Sequence, residues 1–333
     1  MNGEAAFPIA EARRLNCKNV HEAASLLGGD LEGPQLSDAD AVRGCAQLLA
    51  SGAMMGVLID TFPSIGMRAL VAVGGGAFVS RAFIETERAN PRPGLMDRVL
   101  RSVLEGRSVA LTRGEIAAAN AGEGLNIAVI LRHWRPGLSG ALQREVRRHL
   151  MEKFLQDIRG FRMREVLAEA RDEAELALGL AGGFRLRNQA PGAPALDSER
   201  PSGPFVIGIT REEGFESEGS VLSLLFHYSP PRLGFTPSQQ RMLTEAIQHR
   251  TDAEIARVLG VSLSAVKKSW AGIFEKGSAI LDEDQGTAAN PTVRATRGAQ
   301  KRHILLTYLR EHPEELRPWP HSFARHTPMR PSL

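Results

Sequence analysis

Residues 124–170, "GLNIAVILRHWRPGLSGALQREVRRHLMEKFLQDIRGFRMREVLAEA", change their period part-way along, and the reading of that change decides the fold. The opening "GLNIAVILRHW" (124–134) is an apolar run of strand length, rich in Ile and Val. From Leu138 the spacing becomes three and four. Leu142, Val146, Leu150, Phe154 and Ile158 share one helical face, with Arg144, Arg147 and Arg148 opposite. The spacing predicts a helix to about Gly160 and a second helical stretch continuing toward Leu178.

Before this stretch, an amphipathic start (8–27) leads to a Gly/Pro break, and Ser37 caps a helix through "DADAVRGCAQLLASG". "MMGVLID" (54–60), "MRALVAV" (67–73) and "AFVSRAFIE" (77–85) have strand length. "GGG" (74–76) between the last two predicts a tight reversal of antiparallel strands. A helix is expected near 94–105. After the stretch, "LALGLAGGFRLRN" resembles a hairpin, and "QAPGAPALDSERPSGP" (189–204) is a Pro/Gly/Ser-rich loop. "FVIGIT" (205–210) and "SVLSLLFHYS" (220–229) complete the strands, and "SPPRLG" (229–234) is a Pro-broken linker. The sum is an α+β sensor-like domain with an antiparallel sheet, GAF- or PAS-like in general build.

The totals set wide bounds. The chain has 333 residues, 43% hydrophobic and 5% aromatic, so its cores rest on Leu, Val, Ile, Ala and Met. The net charge of +3 excludes no partner, but from Phe235 onward 14 Lys and Arg stand against 10 Asp and Glu, which places the positive excess there. Cys17 and Cys45 form no ligand-like spacing and no disulfide framework. No metal site, P-loop or Gly-x-Ser-x-Gly is visible, and "VAVGGGAF" is not a dinucleotide fingerprint. Asp60, at the end of "VLID", lacks the acidic pair and the lysine that a phospho-acceptor site would need. His133-Trp134-Arg135 and His227-Tyr228 end two expected strands and could line a pocket, although histidines so placed are ordinarily packing or surface residues. No signal peptide and no apolar run approaching the roughly 20 residues of a membrane span are seen, so a cytoplasmic location is expected.

From Phe235 the pattern turns helical: "FTPSQQRMLTEAIQHRTDAEIARVLGVSLSAVKKSWAGIFEK". Thr236 caps a helix with Pro237 at its first position. Thr251 and Glu254 form a capping box, Gly260 permits a sharp turn, and Ser262 caps a third helix. Val266, Trp270, Ile273 and Phe274 face inward, leaving Ser264, Lys267, Lys268 and Ala271 outside. This is a helix-turn-helix layout. At these residues, about 235–276, the chain resembles the C-terminal DNA-binding domain of LuxR/FixJ-type bacterial transcription regulators. A displaced fourth helix is expected over 299–311, with Arg294, Arg297, Lys301 and Arg302 as basic neighbours.

The resemblance implies a transcription regulator that is not an enzyme and has no cofactor. Its sensor region (1–228) would be joined by the linker (229–234) to an all-α helix-turn-helix domain (235–312), with a C-terminal tail (313–333). The DNA-contacting candidates are Thr251, Ser264, Lys267, Lys268 and Ala271. The implied partners are double-stranded operator DNA, a second copy in a homodimer, a small-molecule effector and RNA polymerase, with no membrane. A protein-interaction adaptor, and an enzyme with a structural helical C-terminus, remain as alternatives.

Overall fold

The computed structural model describes residues 10–27, 36–64, 67–92, 94–107, 109–187, 205–216, 221–278 and 298–320. The chain opens with β1 (Ala10–Arg14), a short 3-10 turn and α1 (Ala24–Leu27), then α2 (Asp38–Ser51), β2 (Met54–Ser64) and β3 (Met67–Val79). Three helices follow, α3 (Arg81–Ala89), α4 (Leu95–Leu104) and α5 (Arg113–Ala121). The central unit is β4 (Leu125–Trp134), α6 (Gly140–Ile158) and β5 (Met163–Ala170). Next come α7 (Glu173–Ala181), β6 (Arg185–Leu186), β7 (Phe205–Thr210), α8 (Arg211–Glu216) and a 3-10 turn over Val221–Phe226. The C-terminal part holds α9 (Pro237–Ile247), α10 (Asp252–Leu259), α11 (Leu263–Lys276) and α12 (Gly298–Glu311).

Among the described residues seven strands form one sheet in the order β1-β2-β3-β4-β5-β7-β6. β4 and β5 are parallel, and every other neighbouring pair is antiparallel. This corrects the expected antiparallel, GAF/PAS-like sensor sheet. The misreading lies in residues 163–170, taken for helix. "MREVLAEA" is a strand whose Met163, Val166, Leu167, Ala168 and Ala170 are buried, because β4 and β7 flank it and helices cover it. Its two glutamates disguised it. Glu165 is buried beside Arg88, and Glu169 accepts hydrogen bonds from the backbone N–H groups of Gly94 and Leu95 (2.8 and 2.9 Å).

The glycine triplet is also corrected. It lies inside β3, which runs unbroken from Met67 to Val79 and pairs with β2 on one side and β4 on the other. Neighbours occupy the space that side chains would take. A Cβ on Gly75 would sit 2.8 Å from the Met55 carbonyl oxygen, and one on Gly76 would sit 2.8 Å from Ile127 Cδ1. "SVLSLLFHYS", expected as a strand, contains a 3-10 turn that buries Leu222, Leu225 and Phe226. The 189–204 loop lies outside the described residues.

α2 and α4 cover one face of the sheet through Leu48, Val99 and Leu100. α6 covers the other, resting Val146, Leu142 and Leu150 on Val57, Ile59 and Val71. The C-terminal helices have their own core of Leu243, Ile255, Val266, Trp270, Ile273 and Leu305. Their caps lie at Thr236, Thr251 and Ser262, and Gly260 takes the left-handed conformation (φ 65°). These helices are tied to the α/β body rather than trailing from a sensor. Gln240 is buried; it accepts from Arg113 (3.2 Å) and donates to the Arg317 carbonyl (2.6 Å). Arg317 in turn donates to the Arg159 carbonyl at the end of α6 (2.8 Å) and stacks on Phe161. The fold is therefore a seven-stranded mixed α/β sheet carrying a helical C-terminal part. It is not a sensor domain followed by an all-α module.

Candidate functional site

The parallel seam organises the site. β4 and β5 pair from Leu125↔Met163 to Val129↔Ala168, and there the ladder stops. β4 continues to Trp134 paired only with β3. Where the seam ends, β4 carries a bulge: Gly76 pairs with Val129 and Gly75 with Leu131, leaving Ile130 extra. Strands that part at their carboxyl ends expose peptide groups with no strand partner, the ordinary location of ligand sites in α/β sheets.

A cavity of about 480 Å³ opens at this point, between the sheet and the helices α6 and α7. Its floor is Met55, Val57, Gly74, Gly75, Val129, Leu131, Ala168 and Ile207. Its walls are Leu150, Met151 and Phe154 of α6, Leu178 and Gly179 of α7, and Phe184 and Leu222. Against this apolar lining stand Arg132, Arg144, Arg147 and Arg148, with Asp157 and Glu175.

Arg132 spans the gap between the strands. Its guanidinium donates to the Glu169 carbonyl (2.8 Å) and to the Glu175 carboxylate. Glu175 also accepts from Arg171, through both the side chain (2.7 Å) and the backbone N–H (3.0 Å). Burial works against the Glu175 charge, but the bonds from Arg171 and the nearness of Arg132 outweigh it and hold the carboxyl below its ordinary range. Two guanidinium groups lie over the Trp134 ring, Arg171 at 4.6 Å and Arg147 at 5.5 Å from its centre. Arg148 is engaged by Glu145 and Glu152, whereas Arg144 and Arg147 make no ion pair among the described residues. The α6 N-terminus adds to this cationic end. Ser139 caps it by accepting from the Leu142 N–H, and Arg144 Nη1 would lie 3.7 Å from a Cβ at Gly140.

A second cavity, of about 40 Å³, lies where α4 begins and shares Val129 and Arg132 with the first. That is room for a single water. His133 lines it. Burial, with Arg171 and Arg132 nearby and only partly opposed by Glu175, lowers its pKa to about 4, so the ring is neutral at pH 7. Neither cysteine lines either cavity, and burial raises the Cys45 thiol to about 12. Among the described residues no three His, Cys, Asp or Glu side chains cluster as metal ligands.

No protein-family model matches the chain, and no curated protein matches it. Among solved structures, the chain is similar to the C-terminal condensation domain of Ebony in complex with beta-alanyl-dopamine: 12% identity, 61% of this chain, 100% of that one, TM-score 0.37. It is similar to FeeM, an N-acyl amino acid synthase from uncultured soil microbes, at 11% identity over 64% and 97% of the two chains (TM-score 0.33). The Drosophila melanogaster polyamine N-acetyltransferase is a third, at 15% identity over 61% and 100% (TM-score 0.35). These are not LuxR/FixJ-type regulators. No family model of such regulators matches, and the mixed sheet is not the sensor fold they implied, so the LuxR/FixJ resemblance is set aside, and with it the transcription-regulator function, the non-enzyme reading and the DNA partner. At TM-scores below 0.5 the likenesses carry no argument about substrate or reaction. That chemistry has to come from the chain's own residues.

The five residues singled out for DNA lie elsewhere. Thr251, Ser264, Lys267, Lys268 and Ala271 are exposed on α10 and α11, and none lines a cavity. Thr251 caps α10 together with Glu254, and the Ser264 hydroxyl shares a hydrogen bond with Ser262 (2.9 Å). Arg302 stacks on Trp270 and pairs with Asp252 (2.7 Å), while Arg294 and Arg297 lie outside the described residues. Of the two strand-end groups, Trp134 and His133 do line cavities; Tyr228 stacks on Trp319. Asp60 is buried and paired with Arg13. What the sequence reading missed is the arginine set. It placed Arg144, Arg147 and Arg148 opposite the packed face, which is correct for the helix but silent about α7 and β4 closing over that side. Among the described residues no helix is long and apolar enough to cross a membrane.

Proposed function

We propose that the chain is an acyltransferase, moving an acyl group from an activated, anion-bearing thioester to the amine of a small molecule. The observation that carries this reading is the cavity itself. It has apolar walls, it lies where parallel strands part, and it is lined by Arg144 and Arg147 of the N-terminal half of α6, which make no ion pair among the described residues. An acyl group suits the apolar part. A phosphate-bearing carrier suits Arg144, Arg147 and the N–H groups of α6. The peptide groups of β4 beyond Val129, unpaired on the β5 side, suit a carrier's amides and the oxyanion of the reaction. Two of the neighbours above are named as an N-acyl amino acid synthase and a polyamine N-acetyltransferase.

In the step proposed, the amine nitrogen attacks the thioester carbonyl carbon and a C–N bond forms. The tetrahedral oxyanion collapses, the C–S bond breaks, and the departing thiolate takes up, directly or through water, the proton that the nitrogen sheds. The site would bind and orient both partners, with Arg132 and Glu175 fixing the mouth of the gap. The C-terminal helices would support α5 and α6 through Gln240 and Arg317, and are proposed to divide from the α/β part at 229–234.

The test is thiol release from a panel of acyl-coenzyme A donors with mono- and polyamine and amino-acid acceptors. Amine-dependent release is expected, with Arg144→Ala combined with Arg147→Ala raising the donor KM about tenfold or more and changing kcat less. If no donor and acceptor pair releases thiol above the enzyme-free rate, the acyltransferase reading fails.

A further inference from the structure

The cavity is far larger than an acetyl group needs. With the acyltransferase reading as its basis, we propose that the donor carries a medium to long unbranched acyl chain, held along α6 with its carrier at the arginine end.

The volume of about 480 Å³ corresponds to on the order of a dozen methylene-sized groups, taking about 30 Å³ for each as for liquid water. Part of it belongs to the carrier's arm along β4, and a two-carbon group would leave the remainder beside Leu150, Met151 and Phe154 unfilled. The order of residues along α6 gives the orientation. Arg144 and Arg147 come first, near the end of β4, and Leu150, Met151 and Phe154 follow. A ligand matching that order is anionic at one end and apolar along the rest.

On the floor, Gly74 lets the Leu150 side chain of α6 rest on the sheet, since a Cβ there would lie 2.7 Å from Leu150 Cδ2. Gly179 lets α7 settle on the sheet: a Cβ there would lie 2.6 Å from Ile207 Cδ1. Met151 and Leu178, both lining the cavity, are 43% and 51% exposed. Large apolar side chains left in water at a cavity wall gain by being covered, and a hydrocarbon chain covers them.

The experiment measures binding to the full chain, by calorimetry, of acetyl-, octanoyl-, dodecanoyl- and palmitoyl-coenzyme A, of dodecanoyl phosphopantetheine on a carrier protein, and of dodecanoic acid. Affinity is expected to rise about fourfold per added methylene, then level off once the cavity is filled. Met151→Trp, at a half-exposed position where the fold is easily kept, is expected to move the levelling point to shorter chains while its far-ultraviolet circular dichroism matches the parent.

Equal affinity for acetyl- and dodecanoyl-coenzyme A, or an unchanged length profile in Met151→Trp, would overturn the proposal. Transfer from acetyl-coenzyme A alone would overturn it and leave the acyltransferase reading standing. Chain-length-dependent binding without transfer to any amine would support the acyl site and sink the transferase. The coenzyme A and carrier-protein arms tell which carrier the arginine end accepts.

Discussion

Single residues at the seam do distinct work, and two of them yield predictions. His133 is buried with a pKa of about 4, against 6.5 for the free side chain. Between those values the unfolded chain binds a proton that the folded chain refuses. The stabilisation is therefore complete above pH 6.5 and is lost as the pH falls toward 4, by on the order of 3 kcal/mol at most. Denaturant titrations at pH 7.5 and 4.5 should show that loss in the parent and a smaller one in His133→Gln. Arg132→Ala should cost about 1–3 kcal/mol, because the Glu169 carbonyl and Glu175 lose a charged donor in a part-buried setting. Because Arg171 still holds Glu175, the chain should stay folded, with the defect appearing as weaker ligand binding. The sequence could not show this role. An arginine in "ILRHW" looks like any charged strand end until β5 places Glu169 beside it.

At the scale of elements, the reading was sound where a segment carries its own instructions. Thr236, Thr251 and Ser262 cap helices because their side chains satisfy N–H groups a few residues away. Thr251→Ala should cost about 1 kcal/mol, read as a lowered Tm. β3 is the opposite case. "GGG" has turn composition, yet it lies in a strand because Met55 and Ile127 fill the space above it. Gly75→Ala should be destabilising by about 1–3 kcal/mol, since backbone rather than a flexible side chain stands 2.8 Å away. A gain in stability on that substitution would contradict the close approach of β2. β5 failed for a related reason. Two glutamates in eight residues gave a polar face, and only the partners on α3 and α4 explain why Glu165 is buried and Glu169 half-buried.

Across the whole molecule, the C-terminal helices are tied to the α/β part through a few polar contacts. Arg113 of α5 donates to Gln240 (3.2 Å), Arg159 at the end of α6 donates to the Glu311 carbonyl (2.8 Å), and Arg317 donates back to the Arg159 carbonyl (2.8 Å). Arg317→Ala should leave both parts folded but speed hydrogen exchange at Ile158–Phe161 and near Pro313–Leu316, because the guanidinium bridges the two. Unchanged exchange at both places would mean that the contact does not couple them.

The sequence by itself determined the local grammar: that helices begin after Ser37, Thr236, Thr251 and Ser262, that 125–134 and 205–210 are strands, and that Gly260 turns the chain. Those features depend on side chains within a few residues of the backbone they serve. Tertiary structure alone decided that 163–170 joins β4 as a parallel strand, that Gly74 and Gly75 line a cavity, and that arginines on the polar side of α6 converge with Arg132. Burial and convergence depend on which distant segments come to lie alongside, and a helical period of 3.6 specifies a face without specifying what covers it.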